Sequence, residues 1–215
     1  YLNILKQNSY RLLRLVNNVM DITKVNSDLH KLNLVNCNIV SVLEEIVMST
    51  VLYASEKKRN IIFDTDSEEI ILACDEDKIE RIMLNLISNA IKFSQLHTDI
   101  EIKIKRNVDL NRVYISVKNY GSNIEFNDRE KIFERFYRVD NSLNRKNEGC
   151  GIGLFLCRKF IEMHGGEIFL DNIDNGTQFS FYLPINITEE KINNPIMQKD
   201  SLIEKCNIEF SDIYT

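Results

Sequence analysis

Asn85, Asn89 and Lys92 stand at i, i+4 and i+7 in the run Asn85-Leu86-Ile87-Ser88-Asn89-Ala90-Ile91-Lys92-Phe93. On a helix that spacing puts two amides and an ammonium on one face. Such groups are costly to bury among apolar neighbours unless they are paired. Amide oxygens suit a hard cation, and an ammonium suits phosphate. The plainer alternative is a solvated polar face. Against it stands the poor helix propensity of Asn, which gives the residue no reason to recur here.

A second group is Gly149-Cys150-Gly151-Ile152-Gly153-Leu154. It is not G-x-G-x-x-G, it follows no strand, and no Gly in the chain precedes a Lys, so neither a dinucleotide fingerprint nor a Walker A loop is present. H-R-D and D-F-G are also missing, which excludes a eukaryotic-type protein kinase. The segment reads as a loop opening a helix, whose free N–H groups and dipole suit phosphate. A glycine-capped hinge is the alternative. Asn119-Tyr120-Gly121-Ser122-Asn123-Ile124 follows a strand and on its own is a turn. In Ile132-Phe133-Glu134-Arg135-Phe136-Tyr137-Arg138, Phe133 and Phe136 are i, i+3 partners, a pairing commoner in cores than at ligands. The loop after them sets Arg135, Arg138, Arg145 and Lys146 against Asp140. It could close over an anion or be an ordinary solvated loop.

The elements that must position these groups follow from hydrophobic period. Apolar residues Leu2, Leu5, Leu12, Val16 and Val19 predict a helix over 1–24 that needs a partner for its stripe. Residues 25–38 are polar and Asn-rich and read as a linker. Helices are predicted at 41–58, at 76–93 with Asp75 as N-cap, near 127–134, and from about Gly151 to His164. Strands are predicted at 60–65, 70–74, 99–106, 113–117, 167–171 and 177–183, with an antiparallel hairpin joining 99–106 to 113–117. Residues 186–215 read as a weakly structured tail. Strands mixed with helices, without strict alternation, predict an α+β two-layer sandwich: one face of a mixed β-sheet covered by three main helices, plus the N-terminal helix.

Composition narrows the function classes. The chain has 215 residues and a formal charge of −5, which disfavours nucleic acid as a partner. Its five Cys form no C-x-x-C pair, and the odd count argues against a complete disulfide set and for a reduced, cytoplasmic setting. Its three His are too widely spaced for a Cys/His zinc site. No apolar run is long enough to span a membrane and no signal peptide is visible. The start at Tyr1, inside a helical pattern, is expected to mark a fragment, with a membrane anchor upstream left open. The seven glycines all lie between Gly121 and Gly176, where average usage would give roughly fifteen over the whole chain. Glycine permits positive φ and close backbone approach, so this concentration also points to a site.

Taken in order, these segments and Gly176-Thr177-Gln178-Phe179 resemble the N, G1, F, G2 and G3 boxes of the histidine-kinase catalytic domain, in the gyrase, chaperone, histidine-kinase and mismatch-repair ATPase superfamily. The resemblance covers about residues 37–185. Asn17-Asn18-Val19-Met20-Asp21-Ile22-Thr23 also resembles the end of that family's second dimerisation helix. The implied organisation is a dimerisation-helix remnant at 1–26, a linker at 27–36, an ATP-binding catalytic domain at 37–185 and the tail at 186–215. The implied cofactors are ATP and Mg²⁺. Asn89 would coordinate Mg²⁺, Lys92 would contact phosphate and Phe93 would lie by the nucleoside. Gly149, Gly151, Ile152, Gly153 and Leu154 would form the phosphate edge and hinge of a mobile lid. Arg138 could neutralise the γ-phosphate, and Thr177 would lie under the adenine. Gly121, Ile124, Phe133 and Phe136 complete the implied nucleotide positions.

Three features qualify the resemblance. Hydrolytic relatives carry a water-activating Glu where this chain has Asn85, so phosphoryl transfer to a protein side chain is favoured over simple hydrolysis. The G1 box usually reads D-x-G-x-G, and here Asn119 and Asn123 replace the Asp and the second Gly. A neutral amide in place of a carboxylate costs on the order of 1 kcal/mol, and its NH₂ could face guanine O6, which predicts weaker ATP binding and relaxed purine choice. His30, His97 and His164 lack the H-E-x-x-T/N-P-like context of a phosphoacceptor, so the acceptor is expected on a helix outside this chain. The implied partners are the dimerisation and phosphoacceptor helices of the same kinase, a second copy as homodimer, and a response-regulator receiver domain. The competing expectation is a degenerate nucleotide-sensing or partner-binding module without kinase activity.

Overall fold

The computed structural model describes residues 1–26, 31–139, 150–189 and 199–212. Its helices are α1 (Leu2–Asn26), α2 (Ile39–Glu56), α3 (Glu76–Phe93), α4 (Gly153–Met163) and α5 (Lys199–Glu209). Its strands are β1 (Val35–Asn38), β2 (Asn60–Thr65), β3 (Ile71–Cys74), β4 (Asp99–Asn107), β5 (Arg112–Tyr120), β6 (Glu167–Ile173) and β7 (Gly176–Pro184). Five strands form a mixed sheet in the order β2-β4-β5-β7-β6, parallel only between β2 and β4. β1 and β3 pair separately as a short antiparallel ladder.

Alternation decides which sheet face is covered. Ile100, Ile102 and Ile104 of β4, Val113, Ile115 and Val117 of β5, and Phe179, Phe181 and Leu183 of β7 are all buried. They form one core with Ile39, Leu43 and Ile46 of α2, Ile79, Ile82, Met83, Leu86 and Ile87 of α3, and Phe160 and Ile161 of α4. The opposite face carries polar groups such as the Lys118–Glu101 ion pair, 2.8 Å apart. The predicted sandwich of three helices on one side of a mixed sheet is therefore the fold observed. Among the described residues no helix is long and apolar enough to cross a membrane.

Two helix starts are capped as their sequences suggest. Asp75 accepts from the Lys78 N–H at 3.2 Å, and Asn38 accepts from the Val40 N–H at 3.2 Å. Such a cap contributes about 1 kcal/mol.

Four local expectations are corrected. The stretch read as linker contains β1, whose Asn36 and Cys37 are buried against β3. The helix expected near 127–134 is two 3₁₀ turns, Phe126–Asp128 and Lys131–Phe133. α4 begins at Gly153 and not near Gly151, because Gly151 has φ +67°, which a right-handed helix cannot accommodate. The weakly structured tail is, over 199–212, a helix and a closing 3₁₀ turn. Leu202, Cys206 and Phe210, at i, i+4 and i+8, are buried among α1, α2 and α3. Phe210 stacks on Tyr53 with ring centroids 4.9 Å apart, and the Tyr53 hydroxyl meets the Asn207 amide oxygen at 3.0 Å.

α1 docks on this body through its polar side. Arg14 and Asn18 are buried, whereas Leu5, Leu12, Val16 and Val19 of the apolar stripe remain exposed. Arg81 of α3 donates to the Asn18 amide oxygen at 2.7 Å and lies 3.3 Å from the Asp21 carboxylate.

Candidate functional site

α3 carries the densest cluster of predicted site residues. It is anchored at its start by His164 from the end of α4, whose Nε2 accepts the Asp75 N–H at 3.0 Å. Nδ1 of the same ring lies 2.7 Å from the Phe160 carbonyl, which makes Nδ1 the protonated nitrogen. Burial pushes the His164 pKa down, against the opposing pull of the Phe160 carbonyl and of Asp75. A neutral, twice-bonded ring in this place is structural.

Further along α3 the two amides are joined. Asn89 Nδ2 donates to Asn85 Oδ1 at 3.2 Å, as the i, i+4 spacing allows. Asn85 is buried and donates through Nδ2 to Glu209 Oε1 of α5 at 3.2 Å. Arg14 of α1 holds the same carboxylate oxygen at 2.7 Å. Burial acts to raise the Glu209 pKa, but the Arg14 and Arg81 charges outweigh it and hold the carboxyl below its ordinary range. Lys92 is half-buried, and its charge also favours the ionised form of Glu209. Phe93, which ends the helix, is half-exposed.

The glycine segment meets α3 directly. Gly153 opens α4 against the Asn85 side chain, so closely that a Cβ there would overlap the amide. The start of α4, where the first N–H groups of a helix have no intrahelical acceptor, is thereby set against Asn85. Gly151 and Phe136 are tied by a hydrogen bond from the Phe136 N–H to the Gly151 carbonyl at 2.9 Å. Ile152 is buried, and Leu154 is half-buried against the core.

The end of β5 forms a second part. Asn119 and Thr177 are cross-strand partners, both buried, and the Thr177 hydroxyl donates to Asn119 Oδ1 at 3.0 Å. Asn119 Nδ2 is buried with no hydrogen-bond partner among the described residues. Gly121 bridges to Ser94, and the Gln95 N–H donates to the Tyr120 carbonyl at 2.8 Å, so the end of β5 is pinned to the end of α3. Ile124 packs half-buried on the core beside this turn.

Asn85, Asn89 and Gly153 are thus brought together on one side, and Asn119, Gly121 and Thr177 on the other. Phe133 is in the core, edge-on to Phe179 with centroids 6.3 Å apart, and acts in packing. Phe136 is exposed with φ +61°. Arg138 is exposed beside the end of a described segment. Gly149, with Asp140, Arg145 and Lys146, lies outside the described residues. Sequence reasoning missed Arg14 and Glu209. The available signal was the 202, 206, 210 apolar spacing, which would have marked α5 as a packed helix with Glu209 beside its last anchor.

Residues 74–187 match the family described as histidine kinase-, DNA gyrase B- and HSP90-like ATPase. The sensor histidine kinase WalK of Bacillus subtilis is 32% identical over 191 residues, which cover 88% of this chain and 31% of the relative. The chain therefore spans about a third of that relative's length. The full-length kinase ShkA in complex with AMPPNP superposes with a TM-score of 0.76 at 25% identity, over 87% of this chain and 39% of that one. The histidine kinase ThkA in complex with the response regulator TrrA superposes with a TM-score of 0.68 at 26% identity, over 83% and 49%.

Proposed function

The chain belongs to the histidine kinase-, DNA gyrase B- and HSP90-like ATPase family, and from that premise we propose that it is the ATP-binding catalytic domain of a two-component sensor histidine kinase. It passes the ATP γ-phosphate to a His on a dimerisation helix that is not among these residues. The observation that carries this reading is the junction of Asn85, Asn89 and the Gly153 helix start, which sets amide oxygen and free N–H groups side by side.

The donor set fits Mg²⁺ arriving with a nucleotide. Mg²⁺ keeps several waters and binds through one or two protein oxygens plus substrate phosphates. Among the described residues no group of three or more His, Cys, Asp or Glu could hold a metal unaided. Asn89 offers one oxygen, because its NH₂ is already engaged by Asn85. When bound, the ion neutralises charge on the phosphates. Lys92 and the start of α4 would receive phosphate, and Gly151, Ile152, Gly153 and Leu154 form the adjoining edge. The Arg138 guanidinium, exposed on the chain, would supply positive charge towards the γ-phosphate. Phe93 flanks the nucleoside.

Transfer is favoured over hydrolysis by the state of the carboxylate bonded to Asn85. Asn85 cannot take a proton from water. Glu209, bonded to it, is buried, charge-paired and held ionised, and so is a weak base.

At the base end, Asn119 Nδ2, without a partner among the described residues, would be satisfied by a bound base. The Thr177 hydroxyl can donate or accept, so the Asn119 amide can present either its NH₂ or its oxygen without losing its protein bond. That supports a relaxed choice between adenine and guanine.

The exposed apolar stripe of α1 supports its reading as part of a dimerisation helix, completed by a second copy. The ThkA–TrrA complex supports a receiver domain as downstream partner. The setting is cytoplasmic, whether or not the whole protein is anchored to a membrane. The test is γ-labelled ATP given to the longer protein that includes the acceptor helix. Acid-labile, base-stable label on that protein, and none on the 215-residue chain alone, is expected. Free phosphate without protein labelling would overturn the kinase reading in favour of an ATPase.

A further inference from the structure

Four side chains from three helices form one hydrogen-bonded line: Arg14 of α1, Glu209 of α5, then Asn85 and Asn89 of α3. Its direction is set by chemistry. An ionised carboxylate can only accept hydrogen bonds, so Asn85 must turn its NH₂ towards Glu209. That leaves Asn85 Oδ1 facing the other way, where it receives Asn89 Nδ2 at 3.2 Å and the Cys157 thiol at 3.6 Å. Asn89, whose NH₂ is turned to Asn85, keeps its oxygen at the opposite end of the amide, away from that bond. If Asn85 were reversed, its oxygen would face a carboxylate and its NH₂ would face the NH₂ of Asn89. The carboxylate itself cannot drift, since its side chain is 6% exposed and Arg14 is fixed on it at 2.7 Å.

We propose that Glu209 is a positioning residue for the metal: through Asn85 it determines that Asn89 meets Mg²⁺–nucleotide with its oxygen and not with its NH₂. The inference rests on the reading of Asn89 as a metal ligand. It assigns the C-terminal helix, outside the nucleotide-binding fold, a part in cation binding. It also links α1 to the same site, because a shift of α1 that withdraws Arg14 would release Glu209.

The test measures AMPPNP binding to the 215-residue chain by calorimetry, with saturating Mg²⁺ and again in EDTA. The ratio of the two dissociation constants reports the Mg²⁺ contribution alone. Arg14→Met combined with Glu209→Leu removes the carboxylate without leaving a buried charge unpaired. This double variant should lower the ratio about tenfold, with EDTA binding within about twofold of the parent chain. Glu209→Gln keeps an acceptor oxygen towards Asn85 and should restore most of the ratio. An unchanged ratio in the double variant overturns the proposal, as does a parallel loss in Mg²⁺ and EDTA, which would mean a purely structural role. Asn89→Ala separates the two levels. If it collapses the ratio while the Glu209 variants do not, only the positioning role falls. If it leaves the ratio intact, the metal-ligand reading falls and takes the positioning role with it.

Discussion

The two ends of the site treat the same functional group in opposite ways. At the α3 end, Asn85 is buried with both ends of its amide engaged, by Glu209 on one side and by Asn89 and Cys157 on the other. At the β5 end, Asn119 is equally buried, yet its nitrogen has no partner. A buried amide engaged at both its nitrogen and its oxygen is held in one orientation. A buried amide with a bond missing costs about 1–3 kcal/mol, which a ligand can return on binding. The α3 end is therefore fixed by the protein itself, whereas the β5 end keeps a buried donor that a bound nucleotide would satisfy.

Substitution of Gly153 should break the preorganised end most severely. A Cβ there overlaps the Asn85 amide, so Gly153→Ala must displace α4 or turn Asn85 out of line. The expected cost is about 1–3 kcal/mol in denaturant unfolding, together with weakened nucleotide binding. A variant as stable as the parent, with unaltered affinity, would show that this contact is looser than the geometry indicates.

The β5 end should respond in the opposite sense, with a gain. Asn119→Asp replaces an amide that can face either way with an acceptor alone. ATP affinity should rise about tenfold and GTP affinity should fall, since charge assistance roughly doubles a hydrogen bond and a carboxylate repels guanine O6. Parallel titrations with the two nucleotides give the ratio, and equal changes for both would remove Asn119 from base reading.

The smallest effect lies behind α3, at His164. Its pKa is lower in the folded chain than the ordinary histidine value of about 6.5. The stability it contributes is therefore complete above the unfolded pKa and is lost as pH falls from there towards the folded value. Protonation would also remove the Nε2 acceptor from the Asp75 N–H. Thermal melts at pH 7.5 and pH 5.5 should show a drop that is reduced in His164→Gln. An identical drop in the variant would assign the pH response to other groups.

Much of the fold was legible because it rests on local signals. The 76–93 helix has an Asp cap, a 3.6-residue apolar period and no breaker, and it forms as expected. The strands at 99–107 and 112–120 alternate cleanly, and their hairpin follows. β1 escaped notice because four residues in a polar stretch carry little period, and its burial depends on β3 arriving beside it. α5 escaped because its apolar positions are few and are separated by Glu204, Lys205 and Asn207. Such a helix gains too little from local propensity to be read without the groove that receives it.

The site divides along the same line. Residue type and spacing alone put Asn85 and Asn89 on one helix face and marked the glycine segment as a helix start, because each is a short-range property of the chain, whereas Asn119 stood out only against the family resemblance. Which end of each amide faces the ligand was decided elsewhere. Glu209 lies 124 residues from Asn85, and Arg14 lies 195 residues from Glu209. An amide has two ends of nearly equal shape and opposite hydrogen-bonding sense. Only neighbours brought in by tertiary packing can choose between them, and in this molecule that choice separates Asn85, engaged at both ends, from Asn119, whose nitrogen stays open.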